Sequence, residues 1–93
     1  MQFIYRVHAI ERMFQRDIAE DIVEKTIKDG EVIEKYLDDK PYPSFLVLGF
    51  EDENATKPVH VVFAKNVDQM IVITVYRPDE SKWTNNYKTR IEQ

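Results

Sequence analysis

His8, Arg12 and Arg16 stand four residues apart in the segment HAIERMFQR. On a helix that spacing stacks three side chains in one row, where two guanidiniums could hold a phosphate while an imidazole moves a proton. A solvated helix face has the same pattern, with Arg12 paired to Glu11, Asp17 or Glu20, and spacing alone favours that plainer reading. The second histidine, His60, lies in the apolar run VHVVFA. Strand alternation there puts Val59, Val61 and Phe63 on one face and His60, Val62 and Ala64 on the other. In MIVITVY, Ile71, Ile73 and Val75 oppose Val72, Thr74 and Tyr76 in the same way. If the all-apolar sets face inward, His60, Thr74 and Tyr76 share an open face and form the floor of a site. The competing reading of His60 is a half-buried imidazole bonded to a carbonyl or to Tyr76.

Tyr76 and Arg77 are strand neighbours and point to opposite faces. One pocket takes both only if the strand end is bulged or frayed beside Pro78. Trp83 and Tyr87 read as core rather than as base-stacking platforms, with Lys88 and Arg90 beside them able to reach a phosphate backbone.

These residues need elements to position them. Ile10, Met13 and Phe14 fall within an arc of about 100° on a helical wheel, so residues 7 to 16 read as a short amphipathic helix. Ile18, Ala19, Ile22, Val23, Thr26 and Ile27 define the apolar half of a second helix. Asp17 serves as its N-cap if the chain bends there, and Asp29-Gly30 closes it through a left-handed glycine. After Gly30 the period changes. EVIEKYL, SFLVLGF, VHVVFA and MIVITVY read as four strands joined by PYPS, EDENATKP and KNVDQ, an antiparallel meander. Trp83, Tyr87 and Ile91, again four apart, indicate a closing helix. The expected fold is α+β, one domain over 1–93: two N-terminal helices packed on a four-stranded antiparallel sheet, then a short C-terminal helix. A short strand at 2 to 6 is an optional addition.

Composition narrows the chemistry. The 93 residues are 43% hydrophobic and 32% charged, a globular balance. The absence of cysteine removes disulfides and thiolate metal sites, and two isolated histidines do not suggest zinc, so neither metal nor cofactor is expected. No stretch approaches the roughly 20 apolar residues that cross a bilayer, and MQFIYRVHAIER becomes charged before a signal-peptide core could form, so the expected location is the cytoplasm, with no membrane partner. There is no Gly-rich phosphate loop, HExxH, CxxC or GxSxG, and the carboxylates Glu31, Glu34, Asp38 and Asp39 form no defined metal motif. The formal charge is −4, from 13 Lys and Arg against 17 Asp and Glu, so a nucleic-acid site must be a local patch. Acids concentrate in 17 to 53, whereas KWTNNYKTR at 82 to 90 holds three cations and no acid.

HAIERMFQR, GEVIEKY, PYPS, HVVFA and ITVYRPD with the following Trp83 together resemble the small prokaryotic family named domain of unknown function 4258. That family's pattern is similar to HAxxRMxxR, GExIExY, PYPS, HVVxA and ITVYxPD, and the resemblance runs from His8 to Arg90. Ala19 departs from it where the family more often has a serine or threonine cap. The resemblance implies a RelE-like fold and a toxin of a type II toxin-antitoxin system that cleaves messenger RNA, with a zinc-finger antitoxin of CxxC type as partner. A metal-free ribonuclease needs a base near the 2′-OH, an acid near the leaving oxygen and cations around the phosphorane. His8 and His60 are the candidate base and acid, Arg12 and Arg16 the phosphate stabilisers, Tyr76 an alternative proton donor, and Arg77, Lys88 and Arg90 further substrate contacts. The alternative is a non-enzymatic module, or a degenerate toxin, that docks a partner protein.

Overall fold

A computed structural model describes residues 1–92. Helical spacing of apolar residues produces two ten-residue helices, α1 (Val7–Arg16) and α2 (Glu20–Asp29), after a short strand β1 (Gln2–Tyr5). α1 buries Ala9 and Met13, and α2 buries Val23 and Thr26. The chain bends between them at Asp17, which ends α1 in the left-handed region at φ 55° with its N–H turned back to the Met13 and Phe14 carbonyls. Asp17 is therefore a C-cap rather than the expected N-cap. Ala19 occupies the N-cap position of α2 and supplies no side-chain bond, while Glu20 and Asp21 in the first turn suit the positive end of the helix dipole. Gly30 follows α2 with an ordinary φ of −76°. Closeness, not handedness, requires glycine here: a Cβ would lie 2.5 Å from the Leu48 carbonyl oxygen.

Four longer strands follow: β2 (Glu31–Tyr36), β3 (Ser44–Phe50), β4 (Pro58–Asn66) and β5 (Gln69–Tyr76). They pair antiparallel in sequence order, but the sheet has five strands in the order β1-β5-β4-β3-β2, and β1 runs parallel to β5. The expected four-stranded antiparallel sheet is thus corrected to a five-stranded mixed one. β1 is only four residues long and its partner lies at the other end of the sequence, so alternation could not place it. It is held where the outer edge of β5 offers backbone groups and where the Tyr5 hydroxyl donates to Glu24 of α2 at 2.8 Å.

The expected C-terminal helix is a second correction. Residues 83–90 form a small hairpin, β6 (Trp83–Thr84) and β7 (Thr89–Arg90). Asn85, Asn86 and Tyr87 all have positive φ, at 55°, 57° and 69°. Asparagine is among the few L-residues that enter this region readily, and the Lys88 N–H closes the turn on the Thr84 carbonyl at 3.1 Å. Helical spacing of Trp83, Tyr87 and Ile91 is overridden by the turn between them.

α1 packs on β5 and α2 on β3 and β4, all on one face of the sheet. The core there joins Ala9, Met13, Ile18 and Val23 from the helical segment to Val47, Val59, Val61, Phe63, Met70, Val72 and Val75 from the strands. β4 behaves as its alternation implies. β5 does not, because Val62 pairs with Thr74 while Phe63 pairs with Val72, skipping Ile73. This bulge shifts the side-chain phase, so Met70 and Val72 join Val75 against the helices and Ile71 pairs with Ala64 outside that cluster. Among the described residues no helix is long and apolar enough to cross a membrane.

Candidate functional site

On the sheet face away from the helices, His60 of β4 stands directly across from Tyr76 of β5. The β6–β7 hairpin folds over this pair. Trp83, itself buried, meets the imidazole edge-on with ring centres 4.4 Å apart. His60 has no solvent exposure, and both ring nitrogens are occupied: Nε2 lies 2.9 Å from the Tyr87 carbonyl oxygen and Nδ1 lies 3.1 Å from the Tyr76 hydroxyl. A carbonyl can only accept, so Nε2 carries the proton. In the neutral ring Nδ1 then accepts from Tyr76. Burial pushes the His60 pKa down and the neighbouring Arg90 adds to this, against the opposing pull of the Tyr87 carbonyl and of Glu34. Burial also pushes the Tyr76 phenol up to about 12. At neutral pH the pair is a neutral imidazole and an intact phenol.

A second set of contacts fixes the hairpin to the sheet. The Arg90 guanidinium lies 4.6 Å over the Trp83 ring and its Nε donates to Glu34 of β2 at 3.0 Å. The Tyr36 hydroxyl donates to the same carboxylate. Partial burial alone would raise the Glu34 pKa, but the hydrogen bonds from Tyr36 and Arg90 outweigh it and hold the carboxyl below its ordinary value.

Beside these residues, at the end of the sheet where β5 finishes, lies an open cavity of about 620 Å³. Val62 and Thr74 form its floor, and Tyr76 and Trp83 give it an aromatic wall. Its charged lining is four cations, Arg16, Arg77, Lys82 and Arg90, and one acid, Asp79. Arg77 is already committed, because its guanidinium holds the carbonyls of Arg16 and Asp17 and pairs with Glu51 at 2.7 Å, tying the end of α1 to the loop after β3. Among the described residues Arg16 and Lys82 make no salt bridge at all. Among the same residues no group of three or more His, Cys, Asp or Glu is placed to hold a metal ion.

The cavity brings together Arg16, Tyr76, Arg77 and Arg90 of the residues singled out from sequence. Tyr76 and Arg77 both reach it because β5 ends at Tyr76, so strand alternation no longer separates them. His60 does not line the cavity and meets it only through Tyr76 and Trp83. The row on α1 is divided. Arg16 reaches the cavity, whereas His8 is exposed about 12 Å back along the helix axis and Arg12 bonds to Gln15. Neither histidine lines this cavity. Lys88 pairs with Glu31 at 3.1 Å and lines a different cleft, beside Gly30 and Gly49.

The family model described as domain of unknown function (DUF4258) matches residues 5–77. The chain belongs to the DUF4258 family. No curated protein and no solved structure matches it. The DUF4258 match contains both helices, β2 to β5, His60 and Tyr76, and it stops before the hairpin that supplies Trp83, Tyr87 and Arg90.

Two residues of this site, Glu34 and Asp79, are not singled out by sequence reasoning. Glu34 belongs to no defined metal motif in the sequence, yet it is the anchor for Arg90. Its signal was the spacing to Tyr36, which places both on one face of β2. Asp79 has a weaker signal, its position directly after the last long strand, while Lys82 is visible only as one cation of the acid-free run 82–90. Trp83 was read as core, which its burial supports, but one edge of it also faces the cavity.

Proposed function

We propose that the chain binds single-stranded RNA at the cavity beside Tyr76 and cleaves it without a metal, acting as a growth-inhibiting ribonuclease. The observation that carries this reading is the chain of groups Tyr76 hydroxyl, His60 Nδ1, His60 Nε2–H and Tyr87 carbonyl, opening onto a cavity with four cations and an aromatic wall. RNA needs cations for its phosphates and flat surfaces for its unpaired bases, and this cavity offers both.

In this mechanism Arg16 and Lys82, the two lining cations that make no salt bridge among the described residues, hold the scissile phosphate. The substrate 2′-OH gives its proton to the Tyr76 oxygen as the Tyr76 proton passes to His60 Nδ1. The 2′ oxygen attacks phosphorus, the P–O5′ bond breaks, and the leaving 5′ oxygen takes a proton from water in the open cavity. The products are a 2′,3′-cyclic phosphate and a 5′-hydroxyl. The imidazolium then passes its extra proton, through Tyr76, to the hydroxide left by that water, which restores the neutral pair. The Tyr87 carbonyl favours the charged ring during this step, which burial otherwise opposes. His8 and Arg12 have no part in it, because neither lines the cavity.

The test is cleavage of a defined single-stranded RNA by the purified chain. Cleavage products ending in a cyclic phosphate are expected, lost in Tyr76→Phe with binding retained, and absent on an RNA bearing a single 2′-deoxy position at the scissile site. One neutralised phosphate gives a binding slope of about −0.7 in log affinity against log salt. Binding without cleavage would refute the enzyme and leave an RNA-binding protein without chemistry. Absence of RNA binding would refute both the site and its substrate.

A further inference from the structure

On the opposite side of α1 from its cationic row, Val7, Ile10 and Phe14 form an apolar stripe that faces water. Phe14 is 88% exposed and Val7 72%. Ile10 and Phe14 wall a groove of about 680 Å³ at the corner between the helices, closed by Tyr5, Met13 and Ile18. A large aromatic ring left in water beside an open apolar groove is costly, and such a patch marks a surface that is covered in use.

The charge around the groove says what covers it. Among the described residues its charged lining is Asp17 and Glu20, with no cation, and Glu24 stands behind Tyr5. A second copy of this chain placed face to face by a two-fold axis would bring the carboxylates Asp17 and Glu20 of both copies into one interface, a gathering of like charge that disfavours self-association. RNA is repelled by the same carboxylates. We infer that this groove docks an amphipathic helix of a partner protein, with apolar residues on one face and lysines or arginines along its edges. Residues at helical spacing on the partner would fill the groove between Ile10 and Phe14 while its cations meet Asp17 and Glu20. The surface is separate from the cavity at Tyr76, so the inference stands whether or not the chain cleaves RNA.

The experiment uses the whole chain and two synthetic helical peptides about four turns long, with leucines at matching i, i+4 and i+7 positions and either lysine or glutamate elsewhere. Titration calorimetry is expected to show the lysine peptide binding at least about tenfold more tightly than the glutamate peptide. Phe14→Ser should weaken the lysine peptide by about tenfold or more, and Leu37→Ser, at an exposed leucine elsewhere, should leave it unchanged. Because Phe14 is so exposed, its replacement does not threaten folding, and circular dichroism of the variant checks this. Equal binding of the two peptides, equal binding to the Phe14→Ser and Leu37→Ser variants, or no binding overturns the inference. So does a dimer in sedimentation that Phe14→Ser dissociates, which would assign the groove to a second copy.

Discussion

Replacing Tyr76 by phenylalanine removes one oxygen and tests the hydrogen-bonded pair at the centre of the site. The His60 ring is wholly buried, and the Tyr76 hydroxyl is the partner of its Nδ1. With Nε2–H donating to the Tyr87 carbonyl, Nδ1 in the variant becomes a buried acceptor without a donor. Leaving such a group unsatisfied costs about 1–3 kcal/mol. Tyr76 borders the cavity, so water can follow into the space vacated by the hydroxyl and recover part of that loss, which places the expected cost at about 1–2 kcal/mol. For a domain of this size that is a fall in Tm of about 5–15 °C. Urea denaturation followed by circular dichroism measures the cost, and the fluorescence of Trp83, the chain's one tryptophan, reports whether the hairpin leaves His60 in the same transition. In a His60→Leu background the same substitution should cost almost nothing, because the acceptor has gone. A cost below about 0.5 kcal/mol in the wild-type background, or an equal cost in both backgrounds, would refute the bonded pair and the proton relay built on it.

Two further outcomes follow from other parts of the molecule. Val67 sits in the two-residue turn between β4 and β5 at φ 52°, fully in water at 89% exposure, where a β-branched residue is strained; Val67→Gly should raise stability by about 1 kcal/mol in chemical denaturation. Because burial and Arg90 hold the folded His60 pKa below its unfolded value of about 6.5, the unfolded chain takes up a proton first as pH falls, so stability is present above that pH and declines below it. Between pH 7 and 5 the His60→Leu variant should show a shallower decline than wild type in parallel denaturation curves, and parallel slopes would count against a neutral buried ring.

Both helices and the four long strands could be read from periodicity, because each is long enough to repeat its pattern, but the stripe Ile10, Met13 and Phe14 is not the buried face of α1: Ala9 and Met13 are covered while Ile10 and Phe14 face water. The pairing of His60 with Tyr76 could be read for the same reason, since β4 keeps strict alternation up to His60. β5 kept the phase at Tyr76 and lost it nearer its start, where one extra residue at Ile73 moved Met70 and Val72 inward. A bulge leaves no mark in a run such as MIVITVY, where every residue is apolar enough for either face. The hairpin was misread because three aromatic or aliphatic residues at helical spacing outweighed the Asn85-Asn86 turn, whose left-handed preference is a property of two residues rather than a periodic pattern. The row His8, Arg12, Arg16 was legible as a row, but not which part of it meets the rest of the site. That depends on where α1 ends against β5, and Arg77 determines it by holding the Arg16 and Asp17 carbonyls.

An acidic chain with a cationic cavity is consistent once the origin of each charge is traced. The cavity draws its four cations from the end of α1, the residue after β5, the following loop and β7, so each comes from a point where an element stops. The acids belong largely to α2, β2 and the loops around β3, and two of them, Asp17 and Glu20, border the groove on the far side of α1. The net charge of −4 is therefore a sum over two surfaces of opposite sign, and only the local field at each decides what approaches it. Glu34 and Glu51 lower the cost of gathering guanidiniums by pairing with Arg90 and Arg77, which leaves Arg16 and Lys82 as the cations available to an anionic ligand. An acidic overall balance then weakens long-range attraction of RNA without removing the site, and it makes the groove beneath Phe14 a better match for a basic partner than a basic protein could offer.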